Sequence, residues 1–129
     1  MHAAVGDFQV TTYQADVEAR TIGARIHQPA FLPNRSLERV PAFGIPAIKQ
    51  YPFAGSALVY WDNGPVRADG STGNGPEPLD NTPPREGKDP HGAPRNTPAA
   101  RDQKSQFLLT GNVVDVCGGA PCTTDYTRP

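Results

Sequence analysis

Ala15-Asp16-Val17-Glu18-Ala19-Arg20-Thr21-Ile22-Gly23-Ala24-Arg25-Ile26 is the stretch on which the fold turns. Read with a period of two, it places Glu18 and Arg20 ahead of Ile22, Ala24 and Ile26 on one face of a strand. Read with a period of 3.6, Asp16 caps a short helix and Ile22 sits one turn from Ile26. Gly23 weakens both readings, and the strand is the one adopted here.

That choice makes the rest of the chain read as mainly β. Asp7 to Tyr13 alternates, with Phe8, Val10 and Thr12 on one face. Gly55 to Trp61 is the best strand and ends at the turn Asp62-Asn63-Gly64-Pro65. Phe107 to Val116 reads as a hairpin turning at Gly111-Asn112, or as one strand with a glycine bulge. Strands near 7–13, 18–26, 55–61 and 107–116 predict a small irregular sandwich or open barrel, with little or no helix.

One domain of three parts is expected: 1–61, 62–106 and 107–129. Within the first, Pro29, Pro33, Pro41, Pro46 and Pro52 punctuate an apolar run over 29–54. Proline forbids helix interiors and central strands, so this run reads as an extended arm with large side chains projecting from it. Such an arm lies across its own domain or across a neighbour. Phe31, Leu32, Phe43, Ile45, Tyr51, Phe53 and Trp61 are the interface candidates; Trp61, a ligand platform beside Tyr60 on one reading, reads first as a core anchor.

Residues 62–106 hold eight Pro and six Gly, with only Val66 and Leu79 among large aliphatics. This offers too little apolar surface to offset ordering entropy of roughly 1–2 kcal/mol per residue. The segment reads as a polar loop, or as a strap laid over a neighbour. The whole chain leans the same way. Hydrophobic residues are 36%, below the roughly 45–50% usual even when glycine is counted among them.

Twelve basic and 13 acidic residues give a net charge of -1, interspersed in sign. Nucleic-acid binders draw affinity from a basic excess, so no nucleic-acid partner is expected. No window is long and apolar enough to span a bilayer, and the N-terminal residues lack the pattern of a signal peptide.

Cys117-Gly118-Gly119-Ala120-Pro121-Cys122 is the sharpest local feature. Its turn can bring the two thiols together, and closing so short a loop stabilises by about 2 kcal/mol in the chain-entropy model. His2, His27 and His91 share no ligand spacing with it, so a disulfide is expected and a metal or cofactor is not. A disulfide without a secretory signal suits a particle assembled in the cytosol and then released. Gly70 to Gly75 resembles a phosphate loop only superficially, and Asn34-Arg35-Ser36 is a formal glycosylation sequon.

No nucleophile elbow or metalloprotease motif occurs, and the carboxylates are spread through polar segments. Asp115 among valines is the exception, and alternation points it outward. No catalytic residue is therefore proposed from sequence. The expectation is a non-enzymatic assembly subunit that docks in extended form on a larger protein particle, itself included. A virion component such as a capsid decoration, cement or minor tail protein is the leading case. The alternatives are a small extracellular or periplasmic binding module, and an accessory chain of an enzyme complex.

Overall fold

A computed structural model of the chain describes residues 1–33, 35, 36, 38–63 and 89–124. Its elements are β1 (His2–Ala4), α1 (Thr12–Ile22), β2 (Arg25–Ile26), β3 (Phe53–Ala54), β4 (Ala57–Asp62), α2 (Ala93–Asn96), α3 (Pro98–Thr110), β5 (Asn112–Val113) and β6 (Cys122–Thr123).

β4 is the centre. All six of its residues are buried, as a continuous apolar run in a parallel sheet requires. β1 runs parallel to it on one side, from His2 opposite Val59 to Ala4 opposite Trp61. On the other side it pairs in parallel with β2 at Ala57 and Leu58, and with β6 at Trp61 and Asp62. Beyond β2, Ile26 forms a further parallel bridge with Ala47. A separate antiparallel pair joins β3 to β5.

Alternation along β4 divides the core between two faces. Leu58 and Tyr60 meet Ala15 and Ala19 of α1 together with Ile26 and Ile45. Val59 and Trp61 meet Ala100 of α3 and Cys122, while Ala57 packs with Ile48 and Val113. The molecule is thus a parallel sheet with helices on both faces, completed by a small antiparallel pair.

The expectation of a mainly β sandwich with little or no helix is overturned, at three places. Residues 12–22 form a helix because Thr12, Ala15, Asp16 and Ala19 all fall on one buried face, a spacing of three and four. Gly23 is its stop: its φ of 67° is left-handed, and its N–H returns to the carbonyls of Ala19 and Arg20. The alternation of Ile22, Ala24 and Ile26 therefore spans a helix end and the strand β2. Residues 7–11 are loop, not strand.

The second place is 93–110, where a polar loop and the start of a hairpin were expected. Pro94 and Pro98 stand in the first turns of α2 and α3, where a missing N–H costs nothing. The third is Gly111, which ends α3 with φ 72° and an N–H to the Phe107 carbonyl; it is not a hairpin turn. The rest of the expected strap, 64–88 with the Gly70–Gly75 loop, lies outside the described residues, as does Asn34 of the sequon. Among the described residues no helix is long and apolar enough to cross a membrane.

Candidate active site at the carboxyl edge of the sheet

In open parallel sheets, ligands bind beyond the carboxyl ends of the strands. Two loops meet there. One follows β1, and Asp7 stands three residues past the strand. The other leads into α2 through Asp89-Pro90-His91-Gly92. His91 Nδ1 lies 2.8 Å from Asp7 Oδ2, with the Asp7 side chain 6% exposed and that of His91 26% exposed.

Both residues are held by their own loops. Asp7 Oδ1 accepts the backbone N–H groups of Gln9 at 2.7 Å and Val10 at 3.0 Å. Its other oxygen is left to face His91. Asp89 ties the loops together: Oδ1 accepts from the backbone of Phe8 at 3.2 Å and of His91 at 3.0 Å, and Oδ2 accepts from the Gln9 side chain at 2.9 Å. Partial burial pushes the Asp89 pKa up, but these hydrogen bonds and the nearby His91 outweigh it and hold the carboxyl below 3.8.

The tautomer of His91 follows from its partners. A carboxylate only accepts, so Nδ1 carries the proton toward Asp7. Arg95 Nη2 lies 3.0 Å from Nε2 and a guanidinium only donates, so Nε2 presents a lone pair. That is the tautomer a general base needs. Arg95 is exposed and one turn further on, so an incoming hydroxyl can take its place. No hydroxyl or thiol among the described residues is hydrogen-bonded to Nε2.

The residues singled out by sequence lie elsewhere. Trp61 and Ile45 are core residues. Phe31 stacks on Tyr60 with ring centroids 4.7 Å apart, and Leu32 is half-buried. Phe53 lies under the Arg25 guanidinium. Of these candidates, Phe43, 72% exposed, is the one that projects into solvent.

Cys117 and Cys122 are joined in a disulfide with Cα atoms 5.3 Å apart. Asp115 does not simply point outward: it accepts the N–H groups of Cys117 at 2.8 Å and Gly119 at 2.7 Å. His27 closes the same joint. Its Nε2–H donates to the Ala120 carbonyl at 2.8 Å, and its Nδ1 accepts from the Tyr51 hydroxyl at 2.7 Å. The ligand atoms of His27, Cys117 and Cys122 lie within 4.8 Å of one another, yet the sulfurs are bonded together and both ring nitrogens are engaged. In this state the cluster is a packed joint.

Asp7 and His91 were missed because 84 residues separate them and no local pattern marks either. The usable signals were positional: an aspartate just past a short apolar run, and a histidine in a Pro/Gly turn just before a helix. The chain matches no protein family, no curated protein and no solved structure.

Proposed function

We propose that the chain carries the acid–base pair of an acyl-transfer or hydrolytic site, with His91 as general base and Asp7 as the group that orients it. The single observation behind this reading is the 2.8 Å contact from His91 Nδ1 to buried Asp7, with the opposite ring nitrogen in contact with the exposed Arg95. In the step so defined, a hydroxyl, thiol or water gives its proton to Nε2 as its heavy atom bonds the acyl carbon. The imidazolium, steadied by the Asp7 carboxylate, then returns that proton to the leaving group as the bond to it breaks.

The test is hydrolysis of p-nitrophenyl acetate by the whole chain, where water serves as nucleophile. His91→Ala is expected to lower the protein-dependent rate by about 100-fold, within the range for one general base. Asp7→Asn should lower it substantially while the fold is retained. A native rate no higher than that of His91→Ala would overturn the reading.

A non-catalytic assembly role is the second reading. It is supported by Phe43 at 72%, Leu108 at 74% and Leu109 at 85% exposure, apolar side chains suited to a protein partner. A catalytic chain that must dock on another protein would satisfy both.

A further inference from the structure

Three side chains converge at the disulfide joint from separate parts of the chain. Cys122, 1% exposed, belongs to β6, where it pairs with Trp61 of β4. His27, also 1% exposed, follows β2 and gives its backbone N–H to the Leu58 carbonyl at 3.0 Å. Cys117 is half-buried, and Asp115 holds its backbone N–H. The central strand thus fixes two of the three, and Asp115 the third.

The donor atoms of these residues lie within 4.8 Å of one another. Nε2 is the His27 nitrogen that faces the loop, since it meets the carbonyl of Ala120 between the two cysteines. A tetrahedral zinc ion, with Zn–S of about 2.3 Å and Zn–N of about 2.0–2.1 Å, needs its donors about 3.6–3.8 Å apart. Reaching that spacing requires the sulfurs to part, and the turn between them leaves room. Gly118, Gly119 and Ala120 are exposed, and a Cβ added at either glycine would meet nothing within 4 Å.

We infer that, when a dithiol reductant opens the Cys117–Cys122 bond, this joint becomes a zinc site of two thiolates and the His27 imidazole, with a fourth position left for water. The reductant closes its own disulfide and passes two electrons and two protons to the cysteines. Each cysteine thiol then loses its proton to solvent as its sulfur bonds the ion. The imidazole stays neutral, giving up a proton at Nε2 and taking one at Nδ1. The Tyr51 hydroxyl, 2.7 Å from Nδ1, can donate or accept, and it turns to accept that proton. The Ala120 carbonyl, released by Nε2, stands on the exposed turn, where water replaces the lost partner.

The chemistry of the donors selects the ion. No carboxylate belongs to the cluster, so it does not suit magnesium or calcium. Two thiolates with one imidazole suit zinc, and three protein ligands with one open position are the pattern of catalytic zinc. A ligating imidazole is ordinarily oriented by a hydrogen bond at its other nitrogen, and Tyr51 already stands there. The site is independent of Asp7 and His91.

The experiment reduces the full chain under argon with a phosphine, which takes oxygen from water as it delivers the same two electrons. The phosphine is then removed, and the chain is titrated with Zn²⁺ or Co²⁺. One equivalent is expected to bind, with a Kd of about 1 μM or tighter, while the oxidised chain binds none at that concentration. The Co²⁺ form should show thiolate-to-cobalt charge transfer and the intense visible bands of a tetrahedral site. X-ray absorption of the Zn²⁺ form should count two sulfur neighbours at about 2.3 Å and two lighter ones at about 2.0–2.1 Å. Tyr51→Phe leaves Nδ1–H without its acceptor and should weaken binding by about tenfold or more; His27→Ala should weaken it further.

No stoichiometric binding after reduction would overturn the site. So would equal binding by the oxidised chain, equal affinity in folded His27→Ala, or four sulfur neighbours drawn from two chains. If His27→Ala fails to fold, X-ray absorption of the native chain decides, because it counts the ligands without any substitution.

Discussion

Arg35 grips Asp62 through two parallel hydrogen bonds, Nε to Oδ2 at 2.8 Å and Nη2 to Oδ1 at 3.0 Å, with both residues buried. The pair fastens the proline-rich arm to the last residue of β4. Breaking a buried pair from one side leaves the other charge desolvated without this partner, at a cost of about 3–5 kcal/mol. Asp62→Ala or Arg35→Ala should each lower stability to urea by that amount. Replacing both with apolar residues of similar volume, Arg35→Met with Asp62→Leu, should recover most of the loss. A double variant no more stable than either single one would show that the pair does not act as a unit.

Asp16 makes a second buried polar contact, accepting the Tyr60 hydroxyl at 2.5 Å beneath α1. Burial raises its pKa above 3.8; the Tyr60 hydrogen bond and Arg20 work against this, and Glu38 adds to it. A carboxyl with a raised folded pKa holds its proton more tightly folded than unfolded. Its contribution favours folding below 3.8 and is lost as pH rises from there through the raised value. Asp16→Asn has no such proton and keeps an oxygen for Tyr60. The thermal midpoint of the variant, relative to the native chain, should climb across that window and stay higher at neutral pH. A difference independent of pH would refute the assignment.

These contacts show how unevenly the fold could be read. The run Ala57 to Trp61 declared a buried strand, and it is the centre of the sheet. Its parallel partners could not declare themselves. β1 has three residues, and β2 and β6 two each, too few for alternation to show. Proline density misled at α2 and α3, since each proline stands in the first turn of its helix, where helices tolerate it. The candidate site was hidden for a different reason. Asp7 and His91 become neighbours because α2 packs against β1 and Asp89 joins the two loops, contacts that no local spacing encodes.

Tyr51 shows how the arm was understood only in part. Its ring belongs to an extended segment, but its hydroxyl turns inward to His27 and thereby to the disulfide loop. Burial, and then the charge of Asp115, push its pKa up to about 12. The unfolded phenol ionises near 10, so the stability this group contributes is lost as pH rises from about 10 toward 12. Tyr51→Phe should remove that alkaline loss. At neutral pH it should cost about 1–3 kcal/mol, because His27 Nδ1 is left buried without a donor. Chemical denaturation at both pH values tests this, and an unchanged alkaline profile would count against it.

Asp89 provides the last prediction, because it touches neither His91 side-chain nitrogen nor Asp7 and yet fixes where both stand. It gathers N–H donors from Phe8, Gln9 and His91, clamping the loop after β1 to the loop before α2. Removing the clamp should widen the Asp7–His91 contact without emptying the core, since Asp89 itself is exposed. Asp89→Ala is therefore expected to lower p-nitrophenyl acetate hydrolysis by about tenfold or more, as small misplacements of a catalytic group do. A merely structural role would move stability alone. A positioning role must also weaken or broaden the NMR signal of the Nδ1 proton shared with Asp7. Asp89→Asn keeps an acceptor oxygen toward the backbone and should restore much of both. If the Nδ1 signal is unchanged in Asp89→Ala while the rate falls, Asp89 does not position His91.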